Sequence, residues 1–127
     1  MPIESSRIDS SQLEKQSNII FLKLKLQGVL GAVLKDTTLV DVYYAPPILY
    51  LPEELESLGT SCFSGQKDLK EIRLPSNLKE IDKLVFTNCP NLKKIIIPDK
   101  YKNDATVLRK LGYCNNANIE FYNEGES

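Results

Sequence analysis

The chain contains no histidine. That removes the Ser-His-Asp and Cys-His nucleophile arrangements, and with them the commonest neutral metal ligand and proton shuttle. A carboxylate pair could still act as acid and base, and Glu53, Glu54, Glu71, Glu80 and Asp82 are available. All five fall at positions expected to face water, so solvated charge is the favoured reading. The three cysteines, Cys62, Cys89 and Cys114, are an odd number without the close spacing of a metal or redox motif. Cys62 and Cys89 are expected in the core, where cysteine behaves as a small apolar residue. Cys114, just past a predicted helix, is the better candidate for a reactive thiol. These residues predict no enzyme, and no catalytic, cofactor-binding or metal site.

Charge narrows the partners. Sixteen Lys+Arg against 17 Asp+Glu leave a net of -1, without the basic excess that grips a phosphate backbone. Between Lys67 and Lys110 there are 11 basic residues against 6 acidic. They are interleaved with Asp68, Glu71, Glu80 and Asp82 and lack aromatic stacking platforms, so a solvated surface is preferred to a nucleic-acid site. No apolar run approaches the roughly 18 residues of a membrane span. Met1 to Ser17 is polar with mixed charges, unlike a secretory leader, and no Asn-x-Ser/Thr acceptor occurs. An intracellular location is expected; a processed surface or secreted form would give the same sequence.

The element that must position everything else is an internal repeat. Leu51-Pro52 recurs as Leu74-Pro75 and Ile97-Pro98, an offset of 23 residues, and Leu55, Leu58, Phe63 and Leu69 recur as Leu78, Ile81, Phe86 and Leu92. Alternation places Ile72 and Leu74 inward, with Glu71 and Arg73 outward. Proline lacks a ladder donor and closes each strand. The second apolar pair of each unit lines the opposite wall, and Phe63 and Phe86 fill the middle. Equivalent side chains then form columns: Leu49, Ile72 and Ile95 in one, Leu51, Leu74 and Ile97 in the next. The fold class is α/β or mainly β. It is a short solenoid with parallel strands at about 48–51, 71–74, 94–97 and 118–122.

Around the repeat, residues 1–17 are serine-rich and read as a flexible arm. Ile20, Leu22, Leu24 and Leu26 alternate with Phe21, Lys23 and Lys25, the period of a half-buried strand. Gln27 to Asp36 carries Gly28-x-x-Gly31. A turn followed by one or two helical turns is preferred to a phosphate loop, because no P-loop Lys-Ser/Thr or dinucleotide fingerprint accompanies the glycines. Thr37 to Tyr44 is rich in β-branched and aromatic residues and predicts a strand. After Pro98, Asp104 is set as an N-cap, Val107, Leu108 and Leu111 make one stripe, and Gly112 stops a short helix. One domain over 18–122 is expected: a β-rich N-terminal cap (18–47), repeats (48–98) and a divergent last repeat (99–122), with a polar tail at 123–127.

The run Leu69-x-x-Ile72-x-Leu74-Pro75-x-x-Leu78-x-x-Ile81-x-x-x-Val85-Phe86-x-x-Cys89-x-x-Leu92-x-x-Ile95-x-Ile97-Pro98 resembles the BspA-type (Treponema-type) leucine-rich repeats. In that family a small residue precedes the phenylalanine and a cysteine follows three places after it. Here those places hold Cys62 then Val85, and Gln66 then Cys89. The resemblance implies a curved solenoid that binds proteins, often on bacterial and protozoan cell surfaces and sometimes in phage or viral proteins. The family favours long arrays, whereas this chain has barely two full units.

Outward positions must stack as the inward ones do. Ile48, Glu71 and Lys94 form one column, and Tyr50, Arg73 and Ile96 the adjacent one. Glu71 and Lys94 are expected to pair across strands, and an exposed Ile48, Tyr50 and Ile96 around Arg73 suits a protein-binding patch. The expected function is a non-catalytic protein-interaction module using this face. The alternative is a structural or assembly protein, a homo-oligomer or a subunit of a larger phage or viral particle, because about three repeats are needed for independent stability.

Overall fold

The computed structural model describes residues 10–113 and 115–123. Its elements are α1 (Ser10–Leu26), β1 (Val33–Lys35), β2 (Thr38–Asp41), β3 (Ile48–Tyr50), β4 (Ser57–Leu58), β5 (Glu71–Arg73), β6 (Glu80–Ile81), β7 (Lys94–Pro98), α2 (Ala105–Leu111) and β8 (Asn118–Tyr122). They build two four-stranded sheets. The front sheet has the order β3-β5-β7-β8 and is parallel throughout. The back sheet has the order β1-β2-β4-β6 and is antiparallel only between β1 and β2.

The 23-residue offset becomes strand register. Leu49 pairs with Ile72 and Ile72 with Ile95, each 23 residues on, while Ile95 pairs with Ile119, one residue further along the chain. Leu49, Ile72 and Ile95 are fully buried, as are Leu74 and Ile97 in the next column, where Leu51 is buried but not fully so. Across the core, Leu39, Leu58 and Ile81 stand in register on the back sheet, with Leu55 and Leu78 buried beside them. The two-residue strands of that wall were not legible as strands. Phe63 and Phe86 stack between the walls, ring centroids 5.8 Å apart and planes 14° from parallel. Polar links bridge the same offset: Ser64 and Thr87 hydroxyls lie 2.9 Å apart, and Ser76 Oγ donates to Glu53 at 2.6 Å.

The N-terminal cap departs from expectation. Residues 19–26, predicted as a strand, form the second half of α1, and residues 10–17 of the expected arm form its first half. Residues 1–9 lie outside the described residues. Leu and Lys are good helix formers, and Leu13, Ser17, Ile20 and Leu24 recur at helical spacing on the side facing the core. The helical turns expected within Gln27 to Asp36 are absent too. Gly28 and Gly31 take positive φ, Leu30 bridges to Tyr44, and β1 folds back on β2 through Asp36 at φ 54°. The cap is therefore a helix and a hairpin rather than β-rich alone.

The C-terminal elements follow the sequence closely. Asp104 caps α2 by accepting from the Val107 N–H at 3.1 Å, and Gly112 ends it. α2 packs against β6, and β8 then completes the front sheet.

Candidate functional site: the outer face of the front sheet

Parallel pairing puts the two outward columns in the predicted register. Ile48 pairs with Glu71 and Glu71 with Lys94, while Tyr50 pairs with Arg73 and Arg73 with Ile96. β8 extends each column by one residue, Asn118 beside Lys94 and Glu120 beside Ile96. Ile48 and Tyr50 are 56% and 48% exposed. Neither is covered by the N-terminal cap, although Gln27 reaches the Tyr50 backbone. Its side-chain amide donates to Tyr50 O at 2.5 Å and accepts from Tyr50 N at 2.8 Å, taking the place of a neighbouring strand. Ile96, expected to be exposed, is half-buried, because it lies on an interior strand between Arg73 and Glu120.

Charge occupies the other half of the face. Lys94 Nζ lies 3.8 Å from Glu71 and 3.8 Å from Glu120, so the expected cross-strand pair is a triad. These exposed pairs contribute under about 1 kcal/mol each. Sequence reasoning missed Tyr122. Its ring lies under the Arg73 guanidinium, 4.0 Å from carbon to centroid, and its hydroxyl donates to Leu74 O at 2.8 Å. The alternation of Ile119 and Phe121 in β8 signalled a strand but not this diagonal reach. The site thus pairs an apolar margin on β3 with a charged centre in which Arg73 is held flat over a ring.

Of the residues that could do chemistry, Cys62 and Cys89 are buried, and Glu54 and Asp82 are engaged by neighbouring groups. Burial pushes the Cys62 thiol up to about 12, with Asp41 adding to the shift, and burial also raises Cys89. Both stay protonated at neutral pH and pack as small apolar groups. Cys114 lies outside the described residues. The Lys23 ammonium, 2.9 Å away, holds the Glu54 carboxyl below its usual range. Glu80 and Asp82 share a groove of about 610 Å³ with Lys83, Tyr101 and Lys110. There the Leu84 N–H and the Thr60 hydroxyl, with Lys110 and Lys83 beyond, pull Asp82 down. That carboxylate does not keep a proton for acid catalysis at neutral pH.

Three parallel strands at a fixed offset, each closed by proline and backed by a second wall, define a leucine-rich-repeat protein. The pattern of the BspA type leucine rich repeat region (6 copies) matches residues 47–123, more than half of the chain, and the chain belongs to that family. No curated protein and no solved structure matches it significantly. Among the described residues, no helix is long and apolar enough to cross a membrane.

Proposed function

We propose that this chain is a non-catalytic protein-interaction module that presents the outer face of a short solenoid to a protein partner. The contact residues are Ile48, Tyr50, Glu71, Arg73, Lys94 and Ile96, with Tyr122 supporting Arg73. One observation carries the reading: strand register lines these residues up in two adjacent columns, with exposed aliphatic and aromatic groups beside an arginine. Aromatic and arginine anchors with an apolar surround are the composition of interface hot spots. Family membership supports it, since leucine-rich-repeat regions generally mediate protein contacts and are generally non-catalytic.

The test is capture from the native source with wild-type chain and with Tyr50→Ala/Arg73→Ala, alongside circular dichroism. Loss of the captured protein with an unchanged spectrum is expected. Equal recovery by the two would overturn the assignment of this face.

A further inference from the structure

The helix α1 has two apolar sides. Ile20 and Leu24 are fully buried in the core, and half-buried Leu13 and Ser17 lie in line with them on the same side of the helix. At 3.6 residues per turn, Ile19, Leu22 and Leu26 fall on the opposite side. They are 37%, 57% and 86% exposed. Their i, i+3, i+7 spacing is that of a helix–helix seam. The helix is also pinned against rotation. Lys23 is tied to Glu54 at 2.9 Å and Gln27 to the Tyr50 backbone, so the outer stripe stays outward.

The pattern around the stripe is self-complementary. Glu14 and Lys25 lie along one flank, near opposite ends of the helix, and neither has an ion-pair partner among the described residues. If a second copy of the helix lies antiparallel across the stripe, Ile19 of each copy meets Leu22 of the other. Each Glu14 then comes within side-chain reach of the other copy's Lys25. Lys15, at the N-terminal end of the stripe, comes to lie near Leu26 of the other copy, where the last helical carbonyls favour a cation. A parallel pairing would set Lys15 on Lys15 and Lys25 on Lys25. We propose that α1 is a homodimerisation helix, packing antiparallel against α1 of a second copy through Ile19, Leu22 and Leu26, with a Glu14–Lys25 pair on each side of the twofold axis. This interface does not use the front-sheet face.

The test is sedimentation equilibrium of the full chain over a wide concentration range. Wild type should reach twice the 14.4 kDa chain mass. Leu22→Glu should be monomeric at concentrations where wild type is dimeric, with an unchanged circular dichroism spectrum. Glu14→Lys and Lys25→Glu should each weaken the dimer by about fivefold to tenfold, since each variant breaks two symmetry-related pairs. The combined Glu14→Lys/Lys25→Glu chain should recover wild-type affinity, because both charges are exchanged; these exposed positions keep the test valid even if Leu22→Glu misfolds. A wild-type monomer at the highest concentration, or a dimer indifferent to Leu22→Glu and to both charge variants, would overturn the proposal. Either outcome leaves the front-face reading untouched, since that reading is tested by Tyr50 and Arg73.

Discussion

Gln66 stands one repeat before Cys89 at the equivalent position, and each side chain reaches back to bond the backbone of the preceding turn. The Cys89 thiol donates to Phe63 O at 3.1 Å, linking one repeat to the last. Gln66, with a longer side chain, accepts from Ala45 N at 2.8 Å and donates to Val42 O at 3.2 Å, linking the repeats to the cap. It is the one polar residue buried in the core among the described residues. Gln66→Leu should therefore cost about 1 to 3 kcal/mol for each buried group left without its partner. Cys89→Ala should cost about 1 kcal/mol, since a thiol is a weak donor and the volume lost is small. Urea unfolding of both variants gives the order; a larger loss for Cys89→Ala would show that Gln66 does not fasten the cap.

The core prediction follows from the columns. Phe86 stacks on Phe63, and Ile72 is the central rung of the Leu49–Ile72–Ile95 ladder, so neither site can collapse without moving a neighbour in another repeat. Phe86→Ala should destabilise by about 3 to 5 kcal/mol and Ile72→Ala by about 2 to 5 kcal/mol in chemical denaturation. Losses below about 1 kcal/mol would contradict the packing of these rungs.

Why these columns were legible, and the cap was not, is a matter of how the pattern repeats. A fixed offset transfers register automatically, so knowing that Ile72 is inward places Leu49 and Ile95 as well. In α1 the alternation of Ile20, Leu22, Leu24 and Leu26 satisfies a strand, while Leu13, Ser17, Ile20 and Leu24 satisfy a helix. Only the packing of Ile20 and Leu24 against the core decides between them. The front-face columns were readable for the same reason as the core. The Tyr122–Arg73 contact was not, because it depends on a diagonal side-chain direction that strand alternation leaves open.

Two glycines are held by space and backbone conformation. A Cβ on Gly31 would lie 2.5 Å from Tyr43 Cβ, and its φ is +65°. At Gly65 the φ is +81° with nothing within 4 Å, and Asn88 takes the same left-handed turn one unit later at φ 57°. Gly65→Ala should cost about 1 to 2 kcal/mol from backbone strain alone. Gly31→Ala should cost about 2 to 5 kcal/mol, because overlap with Tyr43 adds to the strain. Thermal unfolding separates the two; equal losses would mean that the hairpin shifts freely to admit the methyl group.

Alkaline pH should expose the buried thiols. Cys62 titrates near 12 in the folded chain against an ordinary value of 9.0. Between these values the unfolded chain releases the proton that the folded chain keeps. Stability from this group is thus complete below about pH 9 and is lost as pH rises towards 12. The limiting slope is on the order of 1.4 kcal/mol per pH unit, and Cys89, also raised, steepens it. Cys62→Ala should flatten the decline in unfolding free energy between pH 9 and 12, apart from any loss at neutral pH. An identical slope in variant and wild type would place this thiol in contact with water.

Gln27 gives the sharpest local test, because it does the work of an absent strand. β3 is the first strand of the front sheet, and its outward-pointing backbone groups at Tyr50 would otherwise meet water or another chain. The Gln27 amide satisfies both, one atom donating and the other accepting. Gln27→Ala removes donor and acceptor together while leaving the Lys23–Glu54 tie at the neighbouring turn. Because these groups can turn to water, the cost should be about 1 kcal/mol. The local effect should be larger. The Tyr50 amide, protected in the wild type, should exchange with solvent many times faster in Gln27→Ala, while the Ile72 amide in the sheet interior keeps its protection. Equal Tyr50 exchange in the two chains would mean that another group closes this edge. Faster exchange at both amides would mean that Gln27 holds the cap as a whole.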